Sequence, residues 1–234
     1  MKTHAKAEQT ARLVRKFGDK KKAAHVADAK VCGIVQLESN LEASGLAVCS
    51  IDPRVRRVRP QPFTVDLLSG RKYKSKKAMI EQFSGSGYSP KPYTPDFLVS
   101  LRDGSKICLE IKHSQLIDKD PDVLDIPPVF ADLGLRLVIV TEQVITEALA
   151  YNARALRPYS DQNCSDKERK EILLPVSRGL RIGELKKKNI SQGSIFKAIL
   201  DGTVSADLQQ HRLSPKTELK PAQGSTSHLE ILQL

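Results

Sequence analysis

Tyr93-Thr94-Pro95-Asp96-Phe97-Leu98-Val99-Ser100-Leu101-Arg102-Asp103-Gly104-Ser105-Lys106-Ile107-Cys108-Leu109-Glu110-Ile111-Lys112 is the stretch on which the fold turns. Two apolar runs, Phe97 to Leu101 and Ile107 to Ile111, flank Asp103-Gly104, a pair that suits a tight turn, so the segment predicts a β-hairpin. In its second arm Lys106, Cys108, Glu110 and Lys112 fall on one face and Ile107, Leu109 and Ile111 on the other, the pattern of a strand with its apolar side on a core. Glu110 and Lys112 therefore point the same way. A two-residue turn centred on Asp103 and Gly104 sets Asp96 opposite Ile111, on the wrong face to act with Glu110. A bulge or an odd-length loop is therefore expected, bringing Asp96 level with Glu110 or Lys112.

The residue types on this hairpin suggest a chemistry. Two carboxylates supply hard oxygen ligands of the kind magnesium prefers, and a lysine two residues after one of them can reach a water or a phosphate beside the metal. That is the minimum set of a metal-dependent nuclease. The competing reading is structural: Asp beside Pro is a common turn pair, and Glu-x-Lys on a strand is often a solvated face.

Charge favours a nucleic-acid partner. The formal net charge is +11 over 234 residues, and residues 1–30 carry nine basic and three acidic groups, 31–92 ten and five, 93–157 seven and ten, and 158–234 twelve and nine. A cationic flank ahead of a locally acidic centre suits a domain that tracks a phosphate backbone and concentrates metal, with plain solubility charge as the alternative. No apolar run approaches membrane-spanning length and no apolar leader opens the chain, so a soluble, cytoplasmic, nucleoid-associated protein with no membrane partner is expected. Cys32, Cys49, Cys108 and Cys164 are scattered without metal-ligand spacing and are expected as free thiols.

Along the chain, residues 1–30 suggest a basic helical arm, and Ser39 to Cys49 a helix ended by Asp52-Pro53. Val55 to Leu67 reads as two short strands interrupted by prolines. Ser69 to Pro92 has the Lys, Gly, Ser and Pro content of a long exposed insertion, and Arg71, Lys72, Lys74, Lys76, Lys77 and Lys91 with Tyr73 and Tyr88 allow it either to lie along DNA or to be a solvated loop. Residues 118–133 are expected to be helical, Leu135 to Val140 a buried strand, and Glu142 to Leu156 a helix. This order predicts an α/β core with a mixed sheet flanked by helices. Further on, Leu180–Lys188 and Gly193–Leu200 suggest two helices around Asn189-Ile190-Ser191, with Arg212–Lys220 as a hairpin, giving a small, mainly helical, winged-helix-like module. The tail from Pro221 is expected to be mobile, with Leu229, Ile231, Leu232 and Leu234 available to a partner. The corresponding domains are 1–30, 31–160, 161–220 and 221–234.

Several blocks in order carry a family resemblance: Ser39-Asn40-Leu41-Glu42, Ile51-Asp52-Pro53-Arg54-Val55, Gln61-Pro62-Phe63, Tyr93-Thr94-Pro95-Asp96-Phe97-Leu98-Val99 and Leu109-Glu110-Ile111-Lys112. Over residues 31–157 the chain resembles the N-terminal domain of the TnsA family, endonuclease subunits of heteromeric (Tn-seven-like) transposases built on the restriction-endonuclease-like PD-(D/E)xK core. The resemblance implies catalytic Glu42, Asp96, Glu110 and Lys112, with Gln61 near the site. It also implies Mg2+, with Mn2+ as a substitute, held by Asp96, Glu110, Glu42 and the Ile111 carbonyl. Its implied activity is hydrolysis of the 5′ strand at transposon ends. The implied partners are double-stranded DNA, a DDE transposase subunit (TnsB-like) and an AAA+ ATPase regulator (TnsC-like), and the C-terminal part contacts DNA or these partners. The residues depart from the family in the longer Lys-rich stretch between Leu67 and Pro92, and in His113 where a proline often stands.

Glu42 also fits a purely structural role, because Ser39-x-x-Glu42 is a capping box, and Glu38 one turn earlier is a second candidate for the site. Two other functions stay open at this point: a partner-independent nicking or repair endonuclease of the same fold, and a basic DNA-binding adaptor in which these charges catalyse nothing.

Overall fold

A computed structural model describes residues 24–176 and 179–234. The chain forms two compact units, one comprising the described residues to Leu46, Arg54–Gln143 and Leu234, the other Ala47–Pro53 and Val144–Gln233. This partition places the main break at Gln143/Val144 and includes most of the tail in the second unit.

In the first unit, β1 (Ala24–Ala27) and β2 (Ile34–Leu37) form an antiparallel hairpin, followed by α1 (Asn40–Ile51), whose last residues belong to the second unit. The end of the expected basic helical arm is thus extended backbone, and the remainder of that arm lies outside the described residues. Next come β3 (Val55–Pro60), β4 (Thr64–Asp66), β5 (Arg71–Tyr73), α2 (Lys76–Gln82) and β6 (Pro92–Tyr93). The hairpin strands are β7 (Phe97–Leu101) and β8 (Lys106–Ile111), followed by α3 (Ser114–Lys119), a single 3-10 turn at Pro121–Asp125, α4 (Ile126–Asp132) and β9 (Arg136–Val140).

The main sheet is mixed and four-stranded, in the order β3-β7-β8-β9, with antiparallel neighbours except for the parallel β8-β9 pair. The α/β class with helices flanking a mixed sheet is as the sequence predicts. On one face Leu98, Cys108 and Leu137 lie in one cross-strand row and pack with Phe63, Val65, Val123, Ile126 and Phe130. The opposite face is buried too, with Phe97, Val99 and Leu109 inaccessible to solvent. Strand β8 is therefore covered on both sides, and the expectation of one solvated face fails at Cys108 because the helices after β8 and the small sheet cover it.

The stretch from Ser69 to Pro92 is exposed over most of its residues, as expected, but it is a folded lobe and not a loop. Strands β5, β4 and β6 make a second sheet, Ser75 caps α2 by accepting the Ala78 amide at 3.1 Å, and Met79 is buried. Phe83 stacks against Tyr73 and Tyr88 at centroid distances of 6.2 and 4.6 Å. The lobe closes on the carboxylate of Asp66, which is fully buried and accepts from Ser69 Oγ (2.6 Å), Tyr88 OH (2.6 Å), the Lys91 amide (2.8 Å) and the Leu68 amide (3.3 Å). These bonds, led by Ser69 and Tyr88, hold its pKa below the usual carboxylate value despite burial.

The second unit contains α5 (Glu147–Leu156), α6 (Asp166–Val176), α7 (Ile182–Lys187) and α8 (Gln192–Leu200). Thr146 caps α5, so this helix starts later than Glu142. Buried Asn152 ties α5 to the following chain, donating to the Leu208 and His211 carbonyls at 2.9 and 2.8 Å and accepting the Leu213 amide at 2.7 Å. The α7 and α8 pair is joined at Asn189, whose φ of 61° is the left-handed turn conformation. The expected Arg212–Lys220 hairpin does not form. Instead β10 (Val204–Ser205) pairs with β11 (Lys220–Pro221) across a long loop. The tail is docked, not mobile: Leu229 and Leu232 are buried, the Gly224 amide bonds the Gly202 carbonyl at 2.8 Å, and the His228 ring bonds the Ile199 carbonyl at 2.9 Å. All four cysteines are free thiols.

Candidate functional site: a carboxylate cluster at the hairpin mouth

The β7-β8 register decides which side chains meet. Phe97 pairs with Leu109, Leu98 with Cys108, Val99 with Ile107 and Ser100 with Lys106, and the Leu101 amide bonds the Ser105 carbonyl at 2.9 Å. The loop is thus the odd-length one expected, Arg102-Asp103-Gly104. Gly104 takes φ of +92°, and Asp103 Oδ1 accepts the Ser105 amide and hydroxyl at 2.9 and 2.7 Å. Carried one step beyond β7, this register puts Asp96 opposite Glu110. On the other side the Gln61 amide donates to the Asp96 carbonyl at 2.8 Å, so Gln61, Asp96 and Glu110 form one row across three adjacent chain segments.

Asp96 is partly buried, and its Oδ2 accepts the Ile111 amide at 2.7 Å, standing in for a main-chain acceptor just before β7 begins. Burial first, then the charges of Glu110, Glu42 and Glu38, push its carboxyl well above the usual range, with the Ile111 bond opposing them. Four carboxylates therefore act on one another here. Glu110 Oε2 accepts from Tyr93 OH at 2.7 Å, and the Tyr93 ring stands edge-on to Phe130 at 5.7 Å. Burial and the Glu110 charge raise the phenol far above its ordinary pKa, so it stays a donor.

Glu42 does the structural work that its spacing allowed. Its amide donates to Ser39 Oγ at 3.1 Å, its Oε1 accepts from the Ser39 hydroxyl at 2.9 Å, and its Oε2 accepts the Glu38 amide, not that of Ser39, at 2.9 Å. Gln61, between two prolines, has φ of 40°, a strained conformation for a non-glycine residue. Its Nε2 donates to Glu38 Oε1 at 3.2 Å, while its Oε1 is buried without a hydrogen-bond partner. Lys112 forms its ion pair outside the cluster, its Nζ 3.7 Å from Asp120 Oδ2 beyond α3, beside a cleft of about 170 Å³ that Tyr93 also lines. Ile111 meets the cluster through its amide.

Sequence reasoning therefore named Asp96, Glu110, Gln61, Glu42 and Glu38, which gather, and Lys112, which lies at the edge. It missed Tyr93 as the partner of Glu110 and Asp120 as the partner of Lys112. Tyr93 lay three residues before Asp96, but nothing in its spacing pointed across to β8. Among the described residues no three His, Cys, Asp or Glu side chains already stand as a metal-binding group. The donor chemistry nonetheless fits a hard divalent cation: it is all oxygen, mutually repulsive, and bordered by the unpartnered Gln61 Oε1.

The chain matches no protein-family model and has no significant match among curated proteins. No helix among the described residues is long and apolar enough to cross a membrane.

Proposed function

We propose that this chain is a divalent-metal-dependent DNA endonuclease on a restriction-endonuclease-like core, cutting the 5′ strand at transposon ends as one subunit of a heteromeric transposase. The observation that carries the reading is the odd-length hairpin loop, which sets Asp96 opposite Glu110 with Lys112 two residues on. The mixed sheet and the resemblance of the linked sequence blocks support it. In this reading the α7 and α8 pair with β10 and β11 is a winged-helix-like module for DNA or partners.

Asp96 and Glu110 would hold Mg2+ or Mn2+, joined by Glu42 if it gives up the Glu38 amide and by the Ile111 carbonyl. The ion, when bound, supplies Lewis-acid stabilisation of the phosphate and a more acidic water. Tyr93 keeps Glu110 aimed, and the Ile111 amide fixes Asp96. Lys112 would leave Asp120 to orient the attacking water by hydrogen bonding to it. The division of labour implied by the family leaves the 3′ strand to a DDE transposase, with an AAA+ ATPase coupling both to the target.

The adaptor reading is favoured by two observations, the engagement of Glu42 in its cap and that of Lys112 with Asp120. The deciding experiment is strand-specific cleavage of labelled transposon-end DNA in magnesium, with a TnsB-like transposase and a TnsC-like ATPase, wild type against Asp96→Ala. A 5′-strand cut that the substitution removes while 3′ cutting survives supports the subunit. A 5′ cut without partners or end sequence favours a freestanding nicking enzyme, and equal behaviour of wild type and Asp96→Ala leaves the adaptor.

A further inference from the structure

The folded lobe after β4 carries an unusual concentration of charge. Five of the seven residues from Arg71 to Lys77 are basic, and all five are exposed. Among the described residues Arg71, Lys74 and Lys76 have no ion-pair partner, and Lys77 pairs only with exposed Glu81 at 3.6 Å on its own helix. Such a surface pair is worth little and releases readily. Between Leu67 and Lys91 the only acidic residue is Glu81, and the adjacent Asp66 carboxylate is taken up by its four hydrogen-bond donors, so the strip keeps a net positive charge.

Its position relative to the carboxylates follows from two registers. Lys72 pairs with Val65, and Val65 with Tyr93, so the three form one row and share a face of the small sheet. Two strand spacings put Lys72 roughly 10 Å from Tyr93, about three base pairs of rise along one strand. Tyr93 in turn bonds Glu110. Lys72 Nζ sits 5.3 Å from the Phe63 ring centroid, and Phe63 belongs to the same core cluster as Cys108, two residues before Glu110 on β8. The lobe is held there by the four bonds to Asp66.

We infer that the β5-α2 strip, Lys72, Lys74, Lys76 and Lys77 with Arg71, is a phosphate-backbone contact that holds duplex DNA a few base pairs from the carboxylate cluster. The placement rests on the endonuclease reading, while the binding itself does not. A row of lysines without base-reading side chains gives affinity without sequence preference and a steep salt dependence.

The test uses the full chain, a fluorescein-labelled 40-base-pair duplex and EDTA, with binding followed by anisotropy between 50 and 200 mM KCl. Lys74→Gln, Lys76→Gln and Lys77→Gln together should reduce the slope of log K against log salt by about 2 to 3, at about 0.9 for each phosphate no longer neutralised, and weaken binding about tenfold or more at 100 mM. The triple Arg variant at the same positions should restore both. Unchanged slope and affinity in the Gln variant, absence of wild-type binding to DNA, or a defect confined to phosphatidylserine vesicles would overturn the inference. Its fate is separable from that of the endonuclease reading, because binding is read in EDTA and cutting in magnesium. A wild type that binds through the strip yet cuts nothing sinks only the catalysis. One that cuts, with the Gln variant binding normally, sinks only the strip.

Discussion

Replacing Asp66 by alanine should detach the basic lobe from the small sheet. The carboxylate has no exposure and takes four donors, and bonds to a charged acceptor contribute about 1.5–3 kcal/mol each, so their gross worth approaches 10 kcal/mol. Two terms reduce it. Removing the charge also removes its desolvation cost, of several kcal/mol, and Leu68, Ser69 and Lys91 lie on exposed residues whose donors can turn to water. The net loss should be about 3 kcal/mol. Asp66→Asn should lose only about 1 kcal/mol, because the amide oxygen still accepts the Leu68 and Lys91 amides while both hydroxyls can rotate to accept from its nitrogen. The difference should also depend on pH. The folded carboxyl titrates below its ordinary value, so its extra stability is present above the unfolded value near 4 and lost as pH falls through the folded one. Hydrogen exchange of the Leu67 and Lys91 amides, with urea unfolding at pH 7 and pH 3, reads both local opening and global stability. A loss under 0.5 kcal/mol by both measures, or equal losses for Asn and Ala, would refute the hub.

Tyr93→Phe keeps the ring against Phe130 and removes only the bond to Glu110, so metal affinity should fall about 10- to 100-fold with little change in urea midpoint; Mn2+ calorimetry and the magnesium dependence of cleavage check it, and an unmoved metal titration would contradict it. Asp96→Asn should abolish cleavage yet raise stability by about 1–2 kcal/mol at pH 8, since burial and three neighbouring carboxylates penalise the ionised side chain and the Ile111 amide keeps an acceptor. Because the raised carboxyl protonates as pH falls, that gain should shrink toward pH 5, as paired urea curves would show. Asn152→Ala should cost about 3 kcal/mol by leaving the buried Leu213 amide and two carbonyls without their partner, measured as a lowered thermal midpoint.

The hairpin was readable because alternation fixes faces, and one misfit between face and turn length was enough to foresee the odd loop. Which device would supply it was not readable: Asp103-Gly104 suits a two-residue turn equally well, and the choice rests on Asp103 engaging Ser105. The lobe after β4 was misjudged for a related reason. Polar, Lys-rich sequence reads as loop because local composition reports burial only when the buried groups are apolar and periodic. Here Asp66, a buried charge, gathers donors from as far along the chain as Tyr88 and Lys91, and Tyr73, Phe83 and Tyr88 meet without any period.

The same limit governs the site. Asp96, Glu110 and Lys112 could be named from strand geometry, but the contacts that give them distinct states are long-range: Tyr93 on Glu110, Ile111 on Asp96, Asp120 on Lys112. A cluster of four acids gathered beside one buried unpartnered amide oxygen costs stability in the protein alone. Glu42 has a folding role in its cap and Asp96 one at the Ile111 amide, but neither relieves the repulsion among the four acids, whereas a cation drawn in by them would. The energetic cost of the cluster is therefore the strongest physical argument that it acts on something, and the stability gain of Asp96→Asn is the measurement on which that argument stands.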